Sequence, residues 1–284
     1  PQKYFDMFPI ESVQLPKVLT GDLDDLGERA RDIAHRAGHY HAHVLEAGQW
    51  RNAVQGYLAS IAYADAMLGL LLDALDSSAY SGNTIVVLWS DHGWQLGEKE
   101  HWRKFALWNN VVRTVLMIKA PRGIPGLEGG SASGRRSDRI VSLVDLFPTL
   151  TELCGLPRRA GLDGRSLVPL LGNPEAQWDH PAITTYDYNE FSIRSDQWHY
   201  IHYIDDSEEL YDLDRDPEEW TNLAGHPDYR AVRERLAAMM PRNPAPVAET
   251  SYKLAPHHTP PLKSKEDYLR SKRATAGVPD HGDG

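Results

Sequence analysis

The run Thr84-Ile-Val-Val-Leu-Trp-Ser90 constrains the fold more than any other stretch of this chain. Its side chains are apolar on both alternating faces, so a strand built from them must be covered on two sides. Just upstream, Val54, Leu58, Ile61, Asp65, Leu68, Leu72 and Leu75 recur at steps of three and four. That spacing predicts a long helix over 49–75 with one buried face, and Ala59, Ala62, Ala64 and Ala66 add helix propensity. Asp65 falls on the apolar stripe and reads as a paired or hydrated edge residue. A second apolar run, Thr114-Val-Leu-Met-Ile118, ends at Lys119-Ala-Pro121. Helix, strand, loop and strand in succession indicate an α/β layer with a mainly parallel sheet.

Residues 122–138 hold five glycines and three serines and read as a loop. Val144, Leu146, Phe147, Leu150, Leu153 and Leu156 then mark an amphipathic helix closed by Gly155 and Pro157. After Trp178 the texture changes. Ala182–Tyr186, Phe191–Arg194, Trp198–Ile204 and Glu209–Leu213 are short runs separated by polar turns, the pattern of an antiparallel meander. His226–Met240 reads as a helix, and six prolines between Pro241 and Pro261 predict an extended or disordered tail. The division expected is 1–172 for the α/β portion, 173–240 for a small sheet-plus-helix subdomain and 241–284 for the tail. Trp198, Tyr200 and Tyr203 either form a sugar-stacking surface or pack as core.

Thirty basic against forty acidic side chains leave a net charge of −10, which disfavours nucleic acid as a partner. Uninterrupted apolar runs fall far short of the roughly twenty residues that cross a bilayer, so no membrane partner is expected. A single cysteine, Cys154, excludes an internal disulfide and a Cys-rich metal site, and its place on an apolar helix face predicts a core thiol. His35 and His39 are four apart and could share a helix face, but no acidic residue lies between them, and the group reads as loop histidines. The chain opens at Pro1 without a secretory n-region and h-region, as a processed chain or a fragment would.

Chemistry concentrates where the first strand ends, at Ser90-Asp-His-Gly93. Ligands of open α/β sheets bind outside the carboxyl ends of strands. Asp91 and His92 emerge there and can ligate a divalent cation, and Gly93 permits a tight turn. Lys104, in His101-Trp-Arg-Lys104, can return to that edge and hold an anion with its mobile ammonium.

Asp91-His-Gly-Trp-Gln-Leu-Gly-Glu98 followed by Trp102-Arg-Lys104 resembles the metal-binding stretch of the type I sulfatases, closest to the iduronate-2-sulfatase and choline-sulfatase branch. Leu143-Val-Asp-Leu-Phe-Pro-Thr-Leu150, Leu162-Asp-Gly-Arg-Ser-Leu167, Glu209-Leu-Tyr-Asp-Leu213, Asp216-Pro217 and Asn222-Leu-Ala224 resemble later landmarks of that family in the same order. Pro1-Gln-Lys-Tyr-Phe5 is similar to the segment after its mid-chain histidine. The resemblance implies an alkaline-phosphatase-like α/β fold, a mostly parallel sheet flanked by helices with a small C-terminal antiparallel sheet. It also implies hydrolysis of sulfate esters by a formylglycine nucleophile with one Ca2+. By the same resemblance Asp91 and His92 are metal ligands, Lys104 binds sulfate and offsets transition-state charge, and Trp94 and His101 line the substrate pocket. A sulfated small molecule or carbohydrate would be the substrate, and relatives are secreted, periplasmic or lysosomal.

The residues also depart from the family pattern. Cys154 lies outside the C-x-P-x-R motif that yields formylglycine, and the paired N-terminal aspartates, the stabilising Arg and the mid-chain His have no counterpart. The expectation is a C-terminal half, inactive alone, whose partner is the N-terminal half of the same polypeptide. Two alternatives compete: a phosphonate monoester hydrolase or phosphodiesterase of the same superfamily, and a non-catalytic module.

Overall fold

The computed structural model describes residues 1–35, 40–124, 126–127, 129–132, 134–242 and 262–275, so His39 and much of the tail lie outside the described residues. Helices α1 (Gln2–Phe5), α2 (Glu28–Ala34) and α3 (Tyr40–Glu46) lead into α4 (Trp50–Asp76). Helix α4 is the one its three-and-four spacing predicts. Along the predicted stripe Val54 is buried, Leu58, Leu68, Leu72 and Leu75 are half-buried and Ile61 and Asp65 are exposed, while Leu70 and Leu71, off the stripe, are 64% and 67% exposed. Tyr63 meets Tyr4 of α1 edge to face at 5.4 Å, and Gln55 donates to the carbonyl of Phe8 at 2.7 Å. By length and composition α4 could cross a membrane, with a mean hydropathy of 1.6 in its richest window. This corrects the run-length argument above: isolated Ser, Gly and Asp residues interrupt the runs without making the helix polar.

Strand β1 (Val86–Trp89) is followed by β2 (Gln95–Leu96), β3 (Trp102–Arg103), the single turn α5 (Asn109–Val112) and β4 (Leu116–Lys119). The order of helix and strands is as predicted, but the two strands contributed to the layer, β1 and β4, pair antiparallel, from Val86↔Lys119 to Trp89↔Leu116. The reason lies between them: a hairpin and one helical turn reverse the chain, whereas a parallel return needs a crossover.

A 3-10 turn over Leu143–Asp145, opened by a capping box in which the Ser142 amide donates to Asp145 Oδ2 at 2.8 Å, leads directly into helix α6 (Leu146–Leu153). It stops before Gly155, which has φ +65°, and α7 (Val168–Gly172) follows. Cys154 is exposed, not a core thiol, because the helix ends one residue earlier and buries Thr149 and Leu153 instead.

The meander is realised as β5 (Ala182–Thr185), β6 (Phe191–Arg194), β7 (Trp198–His202) and β8 (Glu208–Asp212), paired antiparallel in sequence order. Alternation sends successive residues to opposite faces, and both faces are covered. Ile193, Tyr200 and Leu210 pack with Leu236 of α8 (Arg230–Ala237). Ile201, Tyr203 and Tyr211 pack on the other side with Trp108, Leu107 and Ile33. Tyr200 and Tyr203 are therefore core, and Trp198 lies against Tyr229 at 5.6 Å. Ser192 Oγ lies 2.6 Å from His199 Nε2, and His199 Nδ1 bonds the carboxylate of Glu219. This is the order of a nucleophile relay, but all three are buried, so it ties strands together.

The tail expectation needs one correction. Residues 265–275 form helix α9 (Lys265–Thr275), docked on α2 through Tyr268 OH donating to Asp32 at 2.9 Å and Lys272 pairing with Asp32 and Glu28, each at 2.9 Å.

Candidate functional site

The site begins where β1 stops. The Ser90 amide makes a last bond to the carbonyl of Val115 at 3.2 Å, and the chain then leaves the strand pair. The amides of Gly93 and Trp94 bond the carbonyls of Val111 and Asn110 at 2.7 and 2.9 Å, hanging the loop on α5. A Cβ at position 93 would sit 2.1 Å from the Asn110 carbonyl oxygen, so close backbone approach is what demands glycine.

Asp91 and His92 are set side by side at this tip. Asp91 Oδ2 is 3.6 Å from His92 Nε2, with the carboxylate open to solvent and the imidazole half-buried. His92 Nδ1 lies 2.7 Å from the Gly93 carbonyl, which can only accept, so Nδ1 donates and Nε2 is the ring nitrogen that faces the carboxylate. A hard cation such as Ca2+ suits the carboxylate and takes six to eight donors, roughly. Among the described residues no group of three or more His, Cys, Asp or Glu side chains gathers to hold a metal. The Asp91 carboxylate suits one edge of such a site, whereas the imidazole of His92 is a softer donor that could equally face a substrate oxygen.

Lys104 follows the β2–β3 hairpin, whose register is Gln95↔Arg103 and Leu96↔Trp102. The Trp94 ring lies 6.0 Å from His92 and stacks on Tyr57 of α4 at 6.2 Å. Lys104 is half-buried, with its ammonium 5.6 Å from the Phe105 ring. Trp94 is thus brought to the Asp91–His92 tip.

His101 is not. It is 3% exposed, with Nδ1 3.0 Å from the carbonyl of Ala34 and its ring edge-on to Trp108 at 6.0 Å. It faces the core beneath α2, not a substrate pocket. The cause is the reversal before it: Gly97, Lys99 and Glu100 all have positive φ, at 127°, 52° and 50°. For Lys99 and Glu100 that left-handed backbone is strained. It is held by the buried Lys99 ammonium, which pairs with Asp22 at 2.6 Å and also bonds the Glu219 carbonyl. Burial pushes the Asp22 carboxyl up despite this lysine. Glu219 in turn accepts from the Asn109 amide at 2.9 Å. The anchoring role of Lys99, Asp22 and Glu219 has no signature in the sequence, where a lone lysine between two glutamates reads as solvated surface.

Comparison with known proteins meets this geometry. The sulfatase family profile matches residues 14–156, and that of the N-sulphoglucosamine sulphohydrolase C-terminal region matches residues 97–244. A sulfatase of Formosa agariphila is 38% identical over 90% of this chain and 50% of its own length. A choline-sulfatase of Rhizobium meliloti is 30% identical over 80% of this chain and 43% of its own. Among solved structures, BT4656 in complex with D-glucosamine-2-N,6-O-disulfate superposes with a TM-score of 0.61 at 27% identity, over 68% of this chain and 40% of that one. A phosphonate monoester hydrolase of Agrobacterium radiobacter gives 0.55 at 30% identity, over 66% and 40%. The chain spans about half the length of the curated relatives it matches. The α/β fold is alkaline-phosphatase-like, and with the sulfatase profile covering half its residues, the chain belongs to the sulfatase family.

Proposed function

We propose that this chain is the C-terminal part of a calcium-dependent sulfatase acting on sulfated sugars, and that it supplies one wall of the active site. The observation that carries the reading is the adjacency of Asp91 and His92 at a strand's carboxyl end, with the Trp94 ring beside them. A substrate of sulfated glucosamine type is favoured by the disulfated glucosamine bound to BT4656 and by a 28% identical N-acetylglucosamine-6-O-sulfatase of Bacteroides thetaiotaomicron.

Asp91 and the Nε2 of His92 would hold the metal from one side. Calcium, when bound, supplies positive charge against the ester oxygens. The ammonium of Lys104 donates hydrogen bonds to sulfate oxygens and offsets negative charge as the ester bond breaks. Trp94, braced by Tyr57, shields this pairing from water. A formylglycine nucleophile and the remaining ligands belong to polypeptide beyond these residues. The uncovered apolar face of α4 is the surface on which that other half packs.

In the completed protein, Lys104→Ala should cut sulfate release from a glucosamine 6-sulfate by about 10²–10³-fold, the loss typical of one transition-state donor. Unchanged turnover would remove Lys104 from the mechanism. The 284-residue chain alone, given Ca2+, should release no sulfate; turnover at enzymatic rates would sink the half-site reading. A second reading, phosphonate monoester hydrolysis, draws on the 30% identity to the Agrobacterium radiobacter enzyme. Preference of the completed protein for a phenylphosphonate over the matching sulfate ester would select it.

A further inference from the structure

A second, separate surface has the chemistry of an anion site. Between the end of α6, the loop 157–166 and the loop 177–180 lies a cleft of about 550 Å³, a volume in the range of small-ligand sites. Three guanidinium groups, Arg158, Arg159 and Arg165, line it together with His180 and Trp178. Glu152 is the acidic residue of the lining, and its contact with Arg158 is long, at 3.8 Å on an exposed arginine. The neighbouring acids do not neutralise the cleft. Asp163 and Asp179 are not part of its wall, and Asp179 accepts from Gln177 at 3.2 Å. A net positive cleft on a chain of net charge −10 is a local reversal of sign.

The walls are fixed while the guanidiniums stay exposed. The Arg165 amide donates to the buried Asp145 at 2.8 Å, and a Cβ on Gly164 would lie 2.0 Å from the Val144 carbonyl oxygen, so this loop presses against α6. Trp178 Nε1 donates to the Ile140 carbonyl at 2.8 Å, and the ring meets His180 edge to face at 5.3 Å. The Arg165 guanidinium donates to His180 Nε2, tying the two loops together across the cleft. Planar forks grip sulfate or carboxylate oxygens bidentately, and an aromatic ring beside them offers an apolar face to a sugar.

We infer that this cleft binds a sulfated saccharide segment apart from the Asp91–His92 tip, engaging a polymeric substrate at a second point. The choice of sulfate over other anions rests on the sulfatase reading; the site itself rests on the arginines and Trp178.

The test is calorimetric titration of the 284-residue chain with a heparin-derived hexasaccharide, its desulfated counterpart and inorganic polyphosphate of equal charge. Arg158→Ser/Arg159→Ser should weaken hexasaccharide binding at least ten-fold, and Arg273→Ser, an exposed arginine outside the cleft wall, should leave it unchanged. Arg158 and Arg159 are exposed, so the fold survives, and circular dichroism checks it. Binding as tight by the double variant as by the wild type overturns the site, and so does polyphosphate binding as tightly as the hexasaccharide. Cleft binding without sulfate-ester turnover in the completed protein would refute the catalytic reading and keep this one. Turnover with no arginine-dependent binding would do the reverse.

Discussion

The small sheet and the α4–β1–β4 layer are both built from apolar runs, yet they end in opposite surroundings. In the sheet, Ile193, Tyr200, Ile201, Leu210 and Tyr211 are at 0% exposure, whereas in the layer Leu70, Leu71 and Met117 keep 61–67%. The sheet finds covers for both faces within these residues, α8 on one side and the Trp108 cluster on the other. Among the described residues the layer's two strands and long helix are covered only in part, by α1 and by the cluster around Leu153 and Val168. An apolar face of that kind is what the proposed other half would cover. The candidate site sits at the seam: its tip hangs from β1, and its hairpin is anchored through Lys99 to Asp22 and to Glu219, whose carboxylate bonds His199 of the sheet.

The seam gives the sharpest test. Lys99→Met leaves Asp22 buried without its cation and should cost about 3–5 kcal/mol in urea unfolding of the 284-residue chain. A negligible loss would mean that hairpin and sheet fold independently. Next, Leu210→Ala should cost about 2–5 kcal/mol, while Leu70→Ala should stay within about 0.5 kcal/mol. Equal costs would erase the contrast between covered sheet and bare helix. Smaller again is Gly93→Ala, where the new methyl meets the Asn110 carbonyl and should destabilise by about 1–3 kcal/mol, read as reduced amide protection in α5.

The gentlest perturbation is pH, and its sign differs between the two regions. Burial raises the carboxyls of Asp22, Glu190 and Glu209 in and around the sheet. A folded carboxyl raised above its unfolded value binds protons more readily than the open chain, so this contribution weakens as pH climbs from about 4 through each folded value. Burial lowers His41 in α3, beside the Trp50 ring. Its contribution is full above about pH 6.5 and is lost as pH falls through the folded value. Lowering pH from 7 to 5.5 should therefore raise amide protection factors in β6–β8 relative to α3. A uniform change across both would break the comparison.

Much of this was readable one residue at a time. Period two in 182–213 predicted four antiparallel strands, and period three-and-four in 49–75 predicted α4 within one residue at each end. Asp91, His92 and Trp94 do meet, because neighbours in sequence at a strand's end stay neighbours in space. Reading failed where orientation depends on distant partners. His101 turned inward because of the left-handed residues at 99 and 100. Cys154 emerged because a helix stopped one residue short, and the tail gained a helix that owes its place to Asp32 and Glu28, more than two hundred residues upstream.

The amino-acid sequence by itself determined the elements, their order and the polar residues at the strand tip, since periodicity, turn residues and near neighbours are local properties. Only the tertiary structure decided which apolar faces found cover, which histidine faced the core and where three arginines converged. Burial and convergence depend on segments far apart in the chain, and no local pattern encodes what will pack against it.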